Sequence, residues 1–117
     1  MSRPAFDELA GRLADFARER DWEQFHSPKN LAMAVAAESA ELLEHFQWLT
    51  EAQSRDLAPA QRDQAALEMA DVLLYLVRLA DQLGVDLTAA AHRKIDLNAE
   101  KYPVDKSRGH SRKYTEL

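Results

Sequence analysis

Apolar side chains recur along this chain at the three-and-four spacing of a helix with one buried face, and they do so in four segments. The first covers about residues 4–20, with Phe6, Leu9, Leu13 and Phe16 on one stripe and Ser2 placed to cap it ahead of Pro4. The second opens at Ser27-Pro28, a capping residue followed by a first-turn proline, and its pattern continues to about Trp48. Residues 50–58 are polar and read as a connection. The third segment runs from about Pro59 to Leu83 and stops at Gly84, which suits a left-handed position after a helix. The fourth, capped by Asp86 or Thr88, ends near Tyr102 because Pro103 cannot continue it. The expected fold is all-α: a four-helix bundle over residues 1–103, followed by a polar, basic tail over residues 104–117.

The third segment changes this picture. Met69, Val72, Leu73, Leu76, Leu79 and Leu83 share one face, yet Leu67, Ala70, Leu74 and Val77 occupy much of the opposite one. A helix apolar nearly all round must be covered nearly all round. One small bundle does that poorly, so the second face is expected to pack on another subunit, most simply through a two-fold axis. The competing reading is a central helix inside one irregular bundle.

Composition narrows the chemistry. At 117 residues a single domain is expected. Zero cysteines exclude disulfides, thiolate metal sites and a cysteine nucleophile. The three glycines, Gly11, Gly84 and Gly109, stand alone, so no glycine-rich loop cradles phosphates. A net charge of −5 argues against nucleic acid as a partner. No apolar run is long enough for a membrane span, and Asp7 and Glu8 interrupt the start where a signal peptide needs apolar residues, so a soluble, cytoplasmic protein is expected.

Acidic residues three apart occur at Glu38/Glu41, Glu41/Glu44 and Glu68/Asp71. Chance alone gives about three such pairs at this acidic content, so spacing says nothing and position on the helix must decide. With Leu31 as zero, Val35 lies near about +40°, Leu42 near about +20° and Glu38 near about −20°, inside the apolar arc. Glu41 falls at its edge and Glu44 on the far side, an internal control for an ordinary solvent-facing acid. Glu68 and Asp71 lie between the two apolar faces of the third helix, with Tyr75 a turn further on. Bringing four carboxylates out of water needs a positive partner. Pairing with bases is one answer, but only Arg78 and His45 stand near; a hard divalent cation held by E-x-x-E facing E-x-x-D is the other. Di-iron bundles want two Glu-x-x-His motifs, and Glu23-x-x-His26 is outside the pattern.

Glu38-x-x-Glu41, 26 intervening residues and Glu68-x-x-Asp71 resemble the signature of the MazG-like, all-α nucleoside triphosphate pyrophosphohydrolases. The flanking Arg20-Asp21-Trp22-Glu23-Gln24-Phe25-His26, Phe46-Gln47-Trp48, Asp71-Val72-Leu73 and Ser111-Arg112-Lys113-Tyr114-Thr115-Glu116-Leu117 are similar to the dCTP pyrophosphatase branch of that family. The resemblance implies hydrolysis of a (deoxy)nucleoside triphosphate, dCTP or a modified dCTP foremost, to the monophosphate and pyrophosphate, in nucleotide-pool control or sanitation. It also implies Mg²⁺, with Mn²⁺ as a substitute, and a homotetramer with helices shared across subunit interfaces.

Carried over position by position, it makes Glu38, Glu41, Glu68 and Asp71 the metal ligands and catalytic carboxylates. It places Trp22, His26, Trp48 and Tyr75 around the nucleotide, and gives Lys94, Asn98 and Lys101 polar and basic contacts to it. Leu13 departs from the pattern, since animal relatives have a histidine near the base there, and this bears on base preference. Each assignment has a bland counterpart: tryptophans belong to cores and interfaces, and Lys94, Asn98 and Lys101 form an i, i+4, i+7 stripe that a solvated face also explains. Residues 101–117 carry a net +3, so the tail is either a loose end or a lid over phosphates. The alternative function is a non-enzymatic helical oligomeric interaction module whose acids are structural or hold a structural metal.

Overall fold

The structure, a computed structural model, describes residues 5–117. Ser2 and Pro4, the expected cap and first-turn proline, lie outside the described residues. Helix α1 spans Asp7–Glu19 and ends in a left-handed Asp21 with φ 54°. Trp22 N–H returns to the Ala17 carbonyl at 2.8 Å and Asp21 N–H to Arg18 at 3.2 Å, the paired bonds that close a helix through a left-handed residue. Aspartate is strained there, but Gln24 Nε2 donates to its carbonyl at 3.0 Å and its carboxylate at 3.3 Å. Gly84, φ 65°, ends α4 through the same pair of bonds, Val85 to Ala80 and Gly84 to Asp81.

After a 3₁₀ turn over Glu23–Phe25, helix α2 spans Pro28–Glu44. Ser27 Oγ accepts from Asn30 N–H at 3.2 Å, as the Ser-Pro start predicts. The helix ends four residues before Trp48. There the backbone tightens into turns, with Phe46 and Gln47 both bonded to the Leu43 carbonyl, and Thr50 opens a new one-turn helix α3, Glu51–Ser54, through a reciprocal bond pair with Gln53. Helix α4 spans Pro59–Leu83, and α5, Leu87–Lys101, is capped by Asp86, whose Oδ1 accepts from Ala89 N–H at 3.0 Å. The tail is not featureless: α6 covers Val104–Ser107 and a 3₁₀ turn covers Tyr114–Glu116. It folds back on the end of α5, with Tyr114 edge-on to Tyr102 at 6.0 Å and the Lys101 ammonium 4.8 Å above the Tyr114 ring.

Helix α2 lies along α4, and α1 packs on α4 as well. Their contact buries Ala17, Leu31, Ala65, Val77 and Ala80, four of them small or β-branched, so the helices approach closely over a thin core. Helix α5 packs along none of the three and buries none of its own residues; Ile95 is 63% exposed. On α4 itself Leu67 and Met69 also remain exposed. The radius of gyration is 17.7 Å, against about 13 Å for a self-contained domain of this length. Accessible surface is 9261 Å², where a closed monomer of this mass shows about 6,500 Å². Among the described residues, no helix is long and apolar enough to cross a membrane.

Candidate active site

The α2–α4 contact brings Glu38, Glu41 and Glu68 together, with one carboxylate oxygen of each within 4.8 Å of the others. Glu38 and Glu68 are half-buried and Glu41 is exposed, while Glu44 faces solvent as its position on the helix requires. One oxygen each of Glu38 and Glu68, both Oε2, is buried with no hydrogen-bond partner. Among the described residues no Lys or Arg lies within 4.0 Å of Glu38, Glu41, Glu68 or Asp71; the nearest base is His45, whose Nε2 is 3.8 Å from Glu68 Oε1. A structural salt-bridge network would fill those positions with bases. Orphaned, converging carboxylate oxygens are instead the donor set that a hard divalent cation takes.

Without a cation, Glu38 holds its proton more tightly than an ordinary carboxyl. The Glu38 carboxyl is pushed up to about 7, first by a hydrogen bond to Glu41, then by burial, then by repulsion from Glu41, Asp71 and Glu68. Between the ordinary value of 4.5 and about 7, folded Glu38 keeps a proton that the unfolded chain has lost. Its contribution to stability is therefore full below that interval and is lost as pH rises through it. The metal-free protein should melt at a lower temperature at about pH 7.5 than at about pH 5, and Glu38→Gln should flatten the difference. Thermal melts in chelator test this; an unchanged slope in the variant removes Glu38 as its source.

Beside the carboxylates, a cavity of about 460 Å³ opens between α1 and α4. Asp71, Tyr75 and Arg78 line it from α4, Leu13 and Phe16 from α1, and Trp22 and His26 from the segment between α1 and α2. The left-handed Asp21 brings Trp22 back over α1, where its ring meets Phe16 edge-on at 5.7 Å. Arg20 covers Phe16 with its guanidinium carbon 3.5 Å from the ring centre. A mostly apolar chamber with aromatic walls and a few polar groups is a small-molecule site.

The structure thus brings Trp22, His26, Tyr75 and Asp71 to the cavity; Asp71 stands outside the Glu38, Glu41 and Glu68 trio, though near enough for its charge to raise the Glu38 pKa. It does not bring Trp48, which is 86% exposed, nor Lys94, Asn98 and Lys101, which sit exposed on the unpacked α5. Sequence reasoning considered Arg78 only as a counter-ion for the carboxylates. Instead it is 5% exposed, two turns along α4 from Asp71, and its Nε donates to His26 Nδ1 at 3.1 Å. That bond, 52 residues apart in sequence, left no local signal beyond an arginine inside an apolar run.

Comparison with known proteins agrees with this geometry. A family model described as MazG-like matches residues 33–117. The chain is 47% identical over 116 residues to human dCTP pyrophosphatase 1, covering 97% of this chain and 68% of the relative. It is 46% identical over 118 residues to the Bos taurus dCTP pyrophosphatase 1, covering 99% and 70%. A crystal structure of a pyrophosphatase from Archaeoglobus fulgidus DSM 4304 superposes with a TM-score of 0.80 at 36% identity, covering 88% of this chain and 96% of that one.

Proposed function

The chain belongs to the MazG-like family, and from that premise we propose that it is a divalent-metal-dependent hydrolase that cleaves dCTP or a modified dCTP to the monophosphate and pyrophosphate. Hydrolysis of nucleotide pyrophosphate bonds is the reaction class its relatives' names support. One observation carries the reading: converging carboxylates with orphaned buried oxygens adjoin a cavity with aromatic walls. Glu38, Glu41, Glu68 and Asp71 would hold the metal, Mg²⁺ foremost and Mn²⁺ as a substitute. When bound, the metal supplies charge reversal toward the triphosphate and Lewis acidity at phosphate oxygens. Glu41, the most exposed member of the trio, orients the attacking water and takes its proton. Trp22 and Tyr75 offer aromatic faces to the base, with His26 as a polar neighbour.

The protomer's shape supports an assembly. Its surface exceeds that of a closed monomer by roughly 2,800 Å², several times the roughly 800 Å² that one partner covers in an ordinary interface. A homotetramer, a dimer of dimers, covers α5 together with the exposed Leu67 and Met69 of α4. In it, Lys94, Asn98, Lys101 and Trp48 serve the nucleotide from a neighbouring chain, since within one chain they do not line the cavity. The alternative of a non-enzymatic module lacks a use for the cavity.

The test is incubation with each dNTP and NTP plus Mg²⁺, with separate assays for pyrophosphate and orthophosphate. Pyrophosphate with dCMP from dCTP is the expected result. Orthophosphate alone, or no turnover, overturns the reading.

A further inference from the structure

Arg78 is the one charged side chain fully buried among the described residues, and it lines the cavity. A buried guanidinium normally has a carboxylate hydrogen-bonded to it, because leaving it uncompensated costs several kcal/mol. Here the nearest carboxylate oxygen among the described residues, Asp81 Oδ2, stands 3.6 Å from Nη1, beyond a good hydrogen bond, and Asp81 is 45% exposed. The other partners are neutral. Nε–H donates to His26 Nδ1 at 3.1 Å, and Gln82, with its amide oxygen turned toward the guanidinium, accepts from Nη2 at 3.0 Å and Nη1 at 3.2 Å. A guanidinium has five N–H groups. After these partners one Nη1 and one Nη2 hydrogen have no good acceptor among the described residues, on a residue that borders the cavity.

The bond to His26 does a second thing. Because Nδ1 accepts, the neutral ring carries its proton on Nε2, so His26, which lines the cavity, has a donor rather than an acceptor left to offer. Burial, then the Arg78 charge, lowers the His26 pKa and keeps the ring neutral. Along α4, Asp71, Tyr75 and Arg78 occupy i, i+4 and i+7, a stripe about 10 Å long with the carboxylate cluster at one end and these donors at the other. A nucleotide with its phosphates at the carboxylate end extends its base along that stripe.

We propose that Arg78 selects the base, donating an N–H from the buried end of the cavity to the acceptor edge of cytosine. This rests on the nucleotide reading above. Cytosine offers an unprotonated ring N3 beside its O2 carbonyl, two acceptors. Thymine and uracil keep the O2 acceptor but carry N3–H, a donor that opposes a donor at that position, and adenine keeps an acceptor at N1 but has C–H where cytosine has O2. A guanidinium aimed at N3 and O2 together therefore favours cytosine. Leu13 lines the same cavity from α1 and offers no polar group, so the polar reading of the base comes from α4.

The experiment compares kcat/KM for dCTP and dTTP with Mg²⁺ in the native protein, Arg78→Met and Arg78→Lys, with thermal melts of each. Arg78→Met should lower kcat/KM for dCTP about 10- to 100-fold, mainly through KM, while leaving dTTP nearly unchanged, so that the preference collapses. Arg78→Lys should fall between. A folded Met variant that keeps the native dCTP preference overturns the proposal, since a merely structural arginine would alter both substrates alike. Should the variant not fold, ¹⁵N NMR of the native protein decides: dCMP with Mg²⁺ should shift the Arg78 side-chain N–H signals and dTMP should not. The absence of a dCMP shift overturns it. A native protein that hydrolyses no triphosphate fails the function reading alone, and the dCMP titration still decides the role of Arg78.

Discussion

Glu68→Ala should abolish pyrophosphate release, by at least about 1,000-fold, while making the metal-free protein no less stable. The two halves of this result belong together. Glu68 sits half-buried with one oxygen orphaned, 3.8 Å from His45 and grouped with Glu38 and Glu41. Were it a structural partner of His45, its removal would lower the melting temperature. As a metal ligand in an empty cluster it contributes repulsion, so its removal should leave the melting temperature unchanged or raise it, and should abolish the further rise that Mg²⁺ gives the native protein. Glu44→Ala, one turn beyond Glu41 on the solvent side, is the control and should keep activity within about two-fold. Turnover by Glu68→Ala near the native rate would remove the carboxylate cluster from the mechanism, whatever its stability.

Ile95→Glu should convert the assembly to smaller species and cost about 100-fold in kcat/KM, read by light scattering and by pyrophosphate release at matched concentration. Ile95 is 63% exposed in the middle of α5, a helix that no other helix of its own chain covers. Placing a charge there desolvates badly in any apolar interface and costs nothing if the face is already in water. On the proposed tetramer, activity falls with assembly because Lys94 and Asn98, exposed on the same helix and absent from the cavity lining of their own chain, would act from a neighbouring one. A native protein that is monomeric at working concentration, or an Ile95→Glu variant that assembles and turns over normally, would refute this reading.

Much of the scaffold was legible in the sequence because its signals are local. Ser27-Pro28, Gly84 and Asp86 mark helix ends through bonds made within a few residues, and each forms as read. The placing of Glu38 inside the apolar arc, Glu41 at its edge and Glu44 outside follows from helical geometry alone, and the burial agrees. Where the pattern misled, competing bonds were the reason. Phe46 and Leu49 keep the helical period, yet the backbone leaves the α-helix after Glu44 because tight turns and the Thr50 cap satisfy its polar groups. A left-handed Asp21 is invisible to periodicity and propensity, although it fixes where Trp22 goes. Periodicity marked two apolar faces on α4 but not which would be covered: Val77, on the second, is buried within the chain, while Leu67 on the second and Met69 on the first stay exposed, and nothing in the pattern set α5 apart. A hydrophobic face states that it must be covered, and the identity of its cover is a long-range property. Arg78 is the same lesson in polar form: its partner His26 lies on a different segment, and its role emerged only from the unsatisfied donors left over when the two met.

The raised Glu38 pKa also bears on how the proposed site would load. Small domains whose ligands are their only core remain unfolded until the ion arrives. Here α2 packs on α4 in the chain without an ion, so on the proposed reading a divalent cation would displace the Glu38 proton and add net positive charge rather than drive folding. Starvation for the ion should silence this protein while leaving it intact, ready to restart without being made again.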